Sequence, residues 1–155
     1  MTRSREISAG LLAYRRRDGI EVLLAHPGGP FWARKDEGAW SIPKGVVESG
    51  DLLACAYREF REETGLSIEG HTIQLKPVQQ KNGKTVYAFA IEADLDLAHC
   101  CSNLFEMEWP PRSGKTQSFP EVDRVEYFDL KTAMKKIHAY QRPFLVELSR
   151  KLEIS

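Results

Sequence analysis

Residues 45–66 read GVVESGDLLACAYREFREETGL, a glycine-rich turn running into a stretch with the periodicity of one amphipathic helix. The segment holds five acids, Glu48, Asp51, Glu59, Glu62 and Glu63, against the two bases Arg58 and Arg61, in a chain whose 22 acidic and 22 basic side chains cancel. On a wheel of about 100° per residue, Leu53, Ala56, Tyr57, Phe60 and Thr64 fall on one side and form the face expected to pack. Glu59, Glu62 and Glu63 share a separate sector. Like charges three and four residues apart cost a helix roughly 0.2–0.5 kcal/mol per pair, a cost that Arg58 offsets in part through Glu62. A solvated charged face is the plain reading of such a run. The other is a metal seat: a hard divalent cation takes oxygen ligands, and Mg²⁺ uses one or two carboxylates while keeping waters and substrate phosphate oxygens.

The rest of the chain narrows the context. With 155 residues, 42% of them hydrophobic, it suits one domain over residues 1–155. Balanced charge gives no general affinity for a nucleic-acid backbone or an anionic membrane, so neither is an expected partner and any phosphate affinity must be local. No apolar run approaches the roughly 20 residues that span a bilayer. The opening MTRSREISAG lacks the apolar core of a secretory signal, and a cytoplasmic location is expected. Cys55, Cys100 and Cys101 make an odd count without C-x-x-C spacing, so free thiols are expected rather than a disulfide framework or a zinc site.

Two apolar stretches, Ile7 to Tyr14 and Ile20 to His26, flank RRRDG, whose Asp-Gly signals an antiparallel hairpin. The following PGGPFWARKDEGAWSIPKG, rich in glycine and proline, reads as loop. A helix from about Leu52 to Thr64 should end at Gly65. Two strands are expected about Asn82-Gly83. Residues 94–121 read as a long irregular insertion. VDRVEYFDL gives a further strand, and LKTAMKKIHAY and RPFLVELSRKLE read as closing helices, with Pro143 in the first turn of the last. Strands on both sides of a central helix, with more helix at the end, predict an α/β fold: a mixed sheet with helices packed on it.

The residues Gly45, Glu48, Gly50, Asp51 and then Arg58-Glu59-Phe60-Arg61-Glu62-Glu63-Thr64-Gly65-Leu66 resemble the Nudix box, G-x5-E-x7-R-E-U-x-E-E-x-G-U with U apolar. The second half fits at every specified position with Phe60 as the apolar residue. The first half departs twice: Asp51 stands where the pattern has Glu, and six residues rather than seven separate it from Arg58. A one-residue deletion at the helix entry accounts for the spacing and bears on Asp51 and the Gly45 carbonyl, not on the face carrying the three glutamates. AWSIPKGVVESGD resembles the W-x-x-P-K-G lead-in of Nudix hydrolases acting on dinucleoside polyphosphates. HPGGPFWARKDEGAWSIPKG and FEMEWPPRSGKTQSFPEVDR are similar to a bacterial branch of predicted nucleoside-triphosphate pyrophosphohydrolases.

The resemblance implies the Nudix fold, an α/β/α sandwich around a mixed β-sheet. It also implies that Glu59, Glu62 and Glu63 bind Mg²⁺ or Mn²⁺ with the Gly45 carbonyl, while Arg58 orients the acids. Members of the family also use an acid outside the box, for which Glu121 is the candidate and Glu106 and Glu108 the runners-up. The implied reaction is hydrolysis of a nucleoside diphosphate linkage, in which divalent cations stabilise the attacking and leaving oxygens. Dinucleoside polyphosphates are the leading substrates, nucleoside triphosphates the second, and a nucleotide-binding module without hydrolysis the third reading. Lys44, with Arg34 and Lys35, is placed to meet substrate phosphates; an ordinary surface charge is the plainer reading of the latter two. Trp32, Tyr87 and Phe89 offer stacking faces for a base. Tyr87 and Phe89 share one face of a strand, where core packing is the alternative. Tyr140 and Arg142 are candidate closing residues, with capping and packing as their other use. His26, His71, His99 and His138 receive no role.

Overall fold

A computed structural model describes residues 6–153; the amino-terminal residues before Glu6, part of the stretch read as lacking a secretory signal, lie outside it. The elements follow in the order β1 (Ile7–Arg16), β2 (Ile20–Pro27), β3 (Lys44–Val46), α1 (Leu52–Thr64), β4 (Thr72–Gln74), β5 (Val78–Gln79), β6 (Thr85–Glu92), β7 (Leu104–Glu108), β8 (Thr116–Pro120), β9 (Val122–Asp129), α2 (Leu130–Lys136) and α3 (Arg142–Glu153). Seven strands form a mixed sheet in the order β4-β6-β1-β2-β9, with β3 added to β1 and β5 to β6. The pair β1–β6 is parallel, in register from Ile7 with Thr85 to Tyr14 with Glu92. The other pairs of that sheet are antiparallel.

Strand β1 is buried along most of its length, as a central strand covered on both faces must be. Its alternate residues serve two cores. Leu11, Ala13 and Ala9 pack with Leu23, Ile91 and Phe60 beneath α1. Leu12 and Tyr14 pack with Leu24, Trp40, Phe144 and Leu148 beneath α2 and α3. Phe60 is fully buried, so truncation to Ala would cost about 3–5 kcal/mol.

Local chemistry sets α1 where the sequence places it. The Asp51 carboxylate accepts from the Leu53 N–H at 2.9 Å as N-cap, and Gly65 adopts φ 74° at the other end. Ala56, Phe60 and Thr64 are buried as the wheel requires, and Cys55 joins them. The last carbonyls of α1 are not left open: Cys101 N–H donates to Thr64 O at 3.0 Å and Asn103 N–H to Glu62 O at 3.0 Å.

Two expectations need correction. The 94–121 segment is not irregular throughout: β7 and β8 form an antiparallel hairpin from Leu104 with Pro120 to Glu108 with Thr116. The expected helix over LKTAMKKIHAY stops at Lys136. Trp40 N–H donates to Lys136 O and His138 N–H to Trp40 O, so the chain is drawn into a bridge beside Trp40 and then a short 3₁₀ turn, Ala139–Gln141. Among the described residues no helix is long and apolar enough to cross a membrane.

Candidate active site

The acid cluster is assembled by three devices. The first is close packing of α1 on β3: a Cβ at Gly45 would overlap the carboxyl of Glu59, so glycine there leaves the space that Glu59 fills. The Gly45 carbonyl faces the same turn of helix, with Cys55 Sγ at 3.8 Å. The second is Arg58, whose Nη2 lies 3.6 Å from Glu59 Oε2 and whose Nε lies 3.9 Å from Glu62 Oε1. The third is the junction of β8 and β9, which carries Glu121. Its N–H donates to Asn103 O at 2.8 Å and its carbonyl accepts from Gly28 N–H at 2.9 Å.

The charges register one another. Burial, then the charge of Glu59, with Glu121 adding and Lys44 opposing, pushes the Glu63 carboxyl up to about 8. Burial, then the charge of Glu62, raises Glu59. Among the described residues no three acidic, imidazole or thiol groups converge on one point at ligating distance. The donor set is nonetheless that of a hard divalent cation, carboxylate and carbonyl oxygens only. The cradle at Gly45 holds one of them in place.

Glu63, Glu121 and Lys44 line one cleft of about 290 Å³ whose other walls include Trp32, His138 and Tyr140. Trp32 reaches it from the loop after β2, with the Lys35 ammonium 4.7 Å from its ring centroid. That loop is tied to the sheet by His26, fully buried, which donates from Nε2 to Lys35 O at 2.6 Å and pairs through Nδ1 with Asp123 at 2.8 Å. A second, polar hollow, lined by Glu48, Ser49, Arg58, Glu59 and Glu62 with Val46, lies on the exposed side of the cluster.

Not every residue picked from the sequence arrives here. Tyr87 does share a face with Phe89, but it is the face under α1, where both pack with Tyr57 and Leu53. Arg34 is exposed in the Trp32 turn and does not line the cleft. Arg142 donates to Met134 O at 2.9 Å and so closes the end of α2. Asp51 caps α1. Glu108 accepts from the N–H groups of Arg112 and Gly114 in the β7–β8 turn, and Glu106 points outward from the same strand. His138 and Gln141 were missed. Gln141, fully buried, accepts from Ile42 N–H and donates to Ser41 and Tyr140, fastening the 3₁₀ turn to the residues before β3. Neither carries a local signal, because both act through chain segments about a hundred residues away in sequence.

A two-cored mixed sheet bearing an acid helix beside a glycine of β3 is the arrangement that the resemblance to the Nudix box implies. The chain matches the NUDIX domain over residues 4–148 and belongs to that family. It is 38% identical over 58 residues to Nudix hydrolase 10 of Arabidopsis thaliana, a match spanning 37% of this chain and 21% of that relative. The fold is similar to the Ap4A hydrolase of C. elegans in a binary complex, with TM-score 0.64, 22% identity and coverage of 96% of this chain and 99% of that one. It is also similar to the NUDIX domain of Shewanella oneidensis NrtR complexed with ADP ribose, with TM-score 0.66, 16% identity and coverage of 97% and 89%.

Proposed function

We propose that this domain hydrolyses the diphosphate linkage of a nucleotide substrate with Mg²⁺ or Mn²⁺, dinucleoside polyphosphates being the leading class. The observation that carries this reading is the meeting of Glu63, Glu121 and Lys44 in one cleft with an aromatic wall. Glu59, Glu62 and Glu63 would hold the divalent cation, with the Gly45 carbonyl. When bound, that cation supplies positive charge against the phosphate oxygens and makes water more acidic. Arg58 orients Glu59 and Glu62 from between them. Lys44, whose charge already acts on Glu63, neutralises a phosphate beside the reacting bond. Glu121 takes the proton of the attacking water, and Trp32 offers a face to the base. The Ap4A hydrolase and ADP-ribose neighbours support a nucleotide substrate at the level of the shared fold. The free thiols of Cys55, Cys100 and Cys101 suit the cytoplasm.

One observation favours a nucleoside triphosphate as the second reading. Trp32, His138 and Tyr140 stand together in one cleft, and the hollow on the other side of Glu59 and Glu62 has no ring in its lining. One base is then held while a polar group leaves. Product chromatography separates the two readings: a dinucleoside polyphosphate yields two nucleotides, a triphosphate yields a monophosphate and pyrophosphate. The panel is diadenosine polyphosphates, nucleoside triphosphates and ADP-ribose, each with Mg²⁺ and with chelator. Glu62→Gln and Glu63→Gln should each lower turnover by orders of magnitude while the fold persists. Turnover that survives both substitutions would sink the hydrolase reading, and nucleotide binding without any cleavage would make the domain a sensing module.

A further inference from the structure

Three rings meet in the wall of the cleft that Glu63 and Glu121 also line. His138 and Tyr140, from the turn between α2 and α3, lie nearly parallel with centroids 5.6 Å apart and planes 30° apart. Trp32 stands across His138 at 6.3 Å and 88°. Two walls at right angles make a corner, and a flat ring laid on one wall presents its edge to the other. Each ring is positioned by groups other than the cleft's contents. Lys35 covers Trp32, and the Tyr140 hydroxyl accepts from the Gln141 amide at 3.0 Å. The backbone of His138 donates to Trp40 O and accepts from Gln141 N–H, both at 2.9 Å.

The imidazole of His138 is left with unused capacity. Among the described residues neither of its ring nitrogens bonds the chain, and since no buried side-chain nitrogen or oxygen lacks a partner, these nitrogens are open to solvent. Burial, and then the nearby charge of Lys44, lowers its pKa below the ordinary histidine value. A neutral imidazole carries one donor and one acceptor, the complement of a base edge. The same Lys44 acts on Glu63, so the cation proposed to meet a phosphate lies within electrostatic reach of both the acid cluster and this ring.

We infer that the Trp32–His138 corner is the nucleobase subsite and that His138 is its specificity-determining residue, reading the base edge through a ring nitrogen while Tyr140 backs the ring. This rests on the nucleotide reading above but needs neither metal nor turnover. Its rival is plain packing of three rings. In that case a phenyl ring at 138 would serve as well.

The test is calorimetry on the full chain in chelator with AMP, GMP, CMP, UMP and ribose 5-phosphate, for wild type, His138→Phe and His138→Asn. The wild type is expected to bind its preferred nucleotide about tenfold tighter than ribose 5-phosphate and tighter than the other bases, the order of one hydrogen bond plus stacking. His138→Phe keeps a stacking face and should collapse the spread among the bases, and His138→Asn should restore part of it. Unchanged discrimination in a folded His138→Phe protein overturns the inference, as does a wild type that binds no nucleotide better than ribose 5-phosphate. Should His138→Phe fail to fold, His138→Gln and Trp32→Leu replace it: lost base preference in either supports the subsite, and preference kept in both overturns it. The two readings fail separately. Base discrimination that depends on His138 in a protein that cleaves nothing removes the hydrolase and keeps the subsite, whereas cleavage with base preference indifferent to residue 138 does the reverse.

Discussion

The main chains of Glu62 and Glu121 are joined through a single residue, Asn103, whose N–H donates to Glu62 O at 3.0 Å and whose carbonyl accepts from Glu121 N–H at 2.8 Å. The Glu121 carbonyl then accepts from Gly28 N–H at 2.9 Å. The acid helix, the outlying acid and the loop bearing Trp32 are thus strung on one line of backbone hydrogen bonds. The side chain of Asn103 is exposed and takes no part. Asn103→Ala should therefore be silent, with melting temperature and turnover near those of wild type. Asn103→Pro deletes the N–H that reaches α1 and should lower turnover at least about tenfold, since misplacing a reacting group by about 1 Å costs up to 100-fold. Steady-state assays of both variants decide the matter, and equal effects from the two would break the argument.

Gly45→Ala tests the cradle. A methyl group at residue 45 would overlap the carboxyl of Glu59, so either Glu59 moves or β3 lifts from α1. The expected result is a folded protein with weaker Mg²⁺ binding and turnover reduced on the order of 100-fold, the effect of disturbing a ligand's placement. Isothermal titration with Mg²⁺ alone reads the first part. Wild-type affinity in the variant would show that Glu59 is not a ligand.

Above about pH 6.5, where the opposing contribution of His138 with its lowered pKa is complete, stability of the metal-free protein should fall as pH rises. Glu63 titrates near 8 in the folded chain against 4.5 for the free carboxyl, so the folded state holds this proton more tightly than the unfolded state does. The stability linked to it is fully present below pH 4.5 and lost as pH rises through about 8. Glu59 is raised as well and acts in the same direction. Cation binding needs the ionised forms, so the stabilisation conferred by Mg²⁺ should grow across that window. Thermal melts with chelator and with Mg²⁺, taken in steps between about pH 5 and pH 9, show both trends. Glu63→Gln should flatten the chelator series; a melting temperature that climbs above about pH 6.5 in chelator would contradict the charge arrangement.

What was legible in the sequence is what local chemistry decides. Helix α1 runs from Leu52 to Thr64 as read, because a thirteen-residue amphipathic stretch is capped by Asp51 and stopped by Gly65 within its own neighbourhood. The Asp18-Gly19 turn is equally local, with both residues at positive φ. The β7–β8 hairpin was not, since its five-residue strands are largely exposed and carry little apolar contrast with the loop around them. Helix α2 ends where Trp40 intervenes, a residue far away in sequence. In the site the same division holds. Glu59, Glu62 and Glu63 fall together by helical period alone. Tyr87 stayed open between a base and the core because alternation tells which residues share a face but not which helix covers it, and His138 faces the cleft only once the chain's end has folded back on Trp40.

Glu121 is the sharpest remaining discriminator between the enzyme and a fold that merely binds. Its backbone is fixed from both sides, while its side chain is exposed and its charge is felt by both Glu59 and Glu63. Replacement by Gln removes a negative charge from a cluster of like charges without touching those backbone bonds. Glu121→Gln should therefore melt no lower than wild type in chelator. A positioned base contributes about 10²–10⁴-fold to a rate, so turnover should fall within that range while Mg²⁺ affinity, set by the α1 acids, changes little. Loss of Mg²⁺ affinity together with turnover would instead make Glu121 a ligand. Turnover retained within about threefold, far below that range, would return it to the ordinary loop acids and pass the proton to another group.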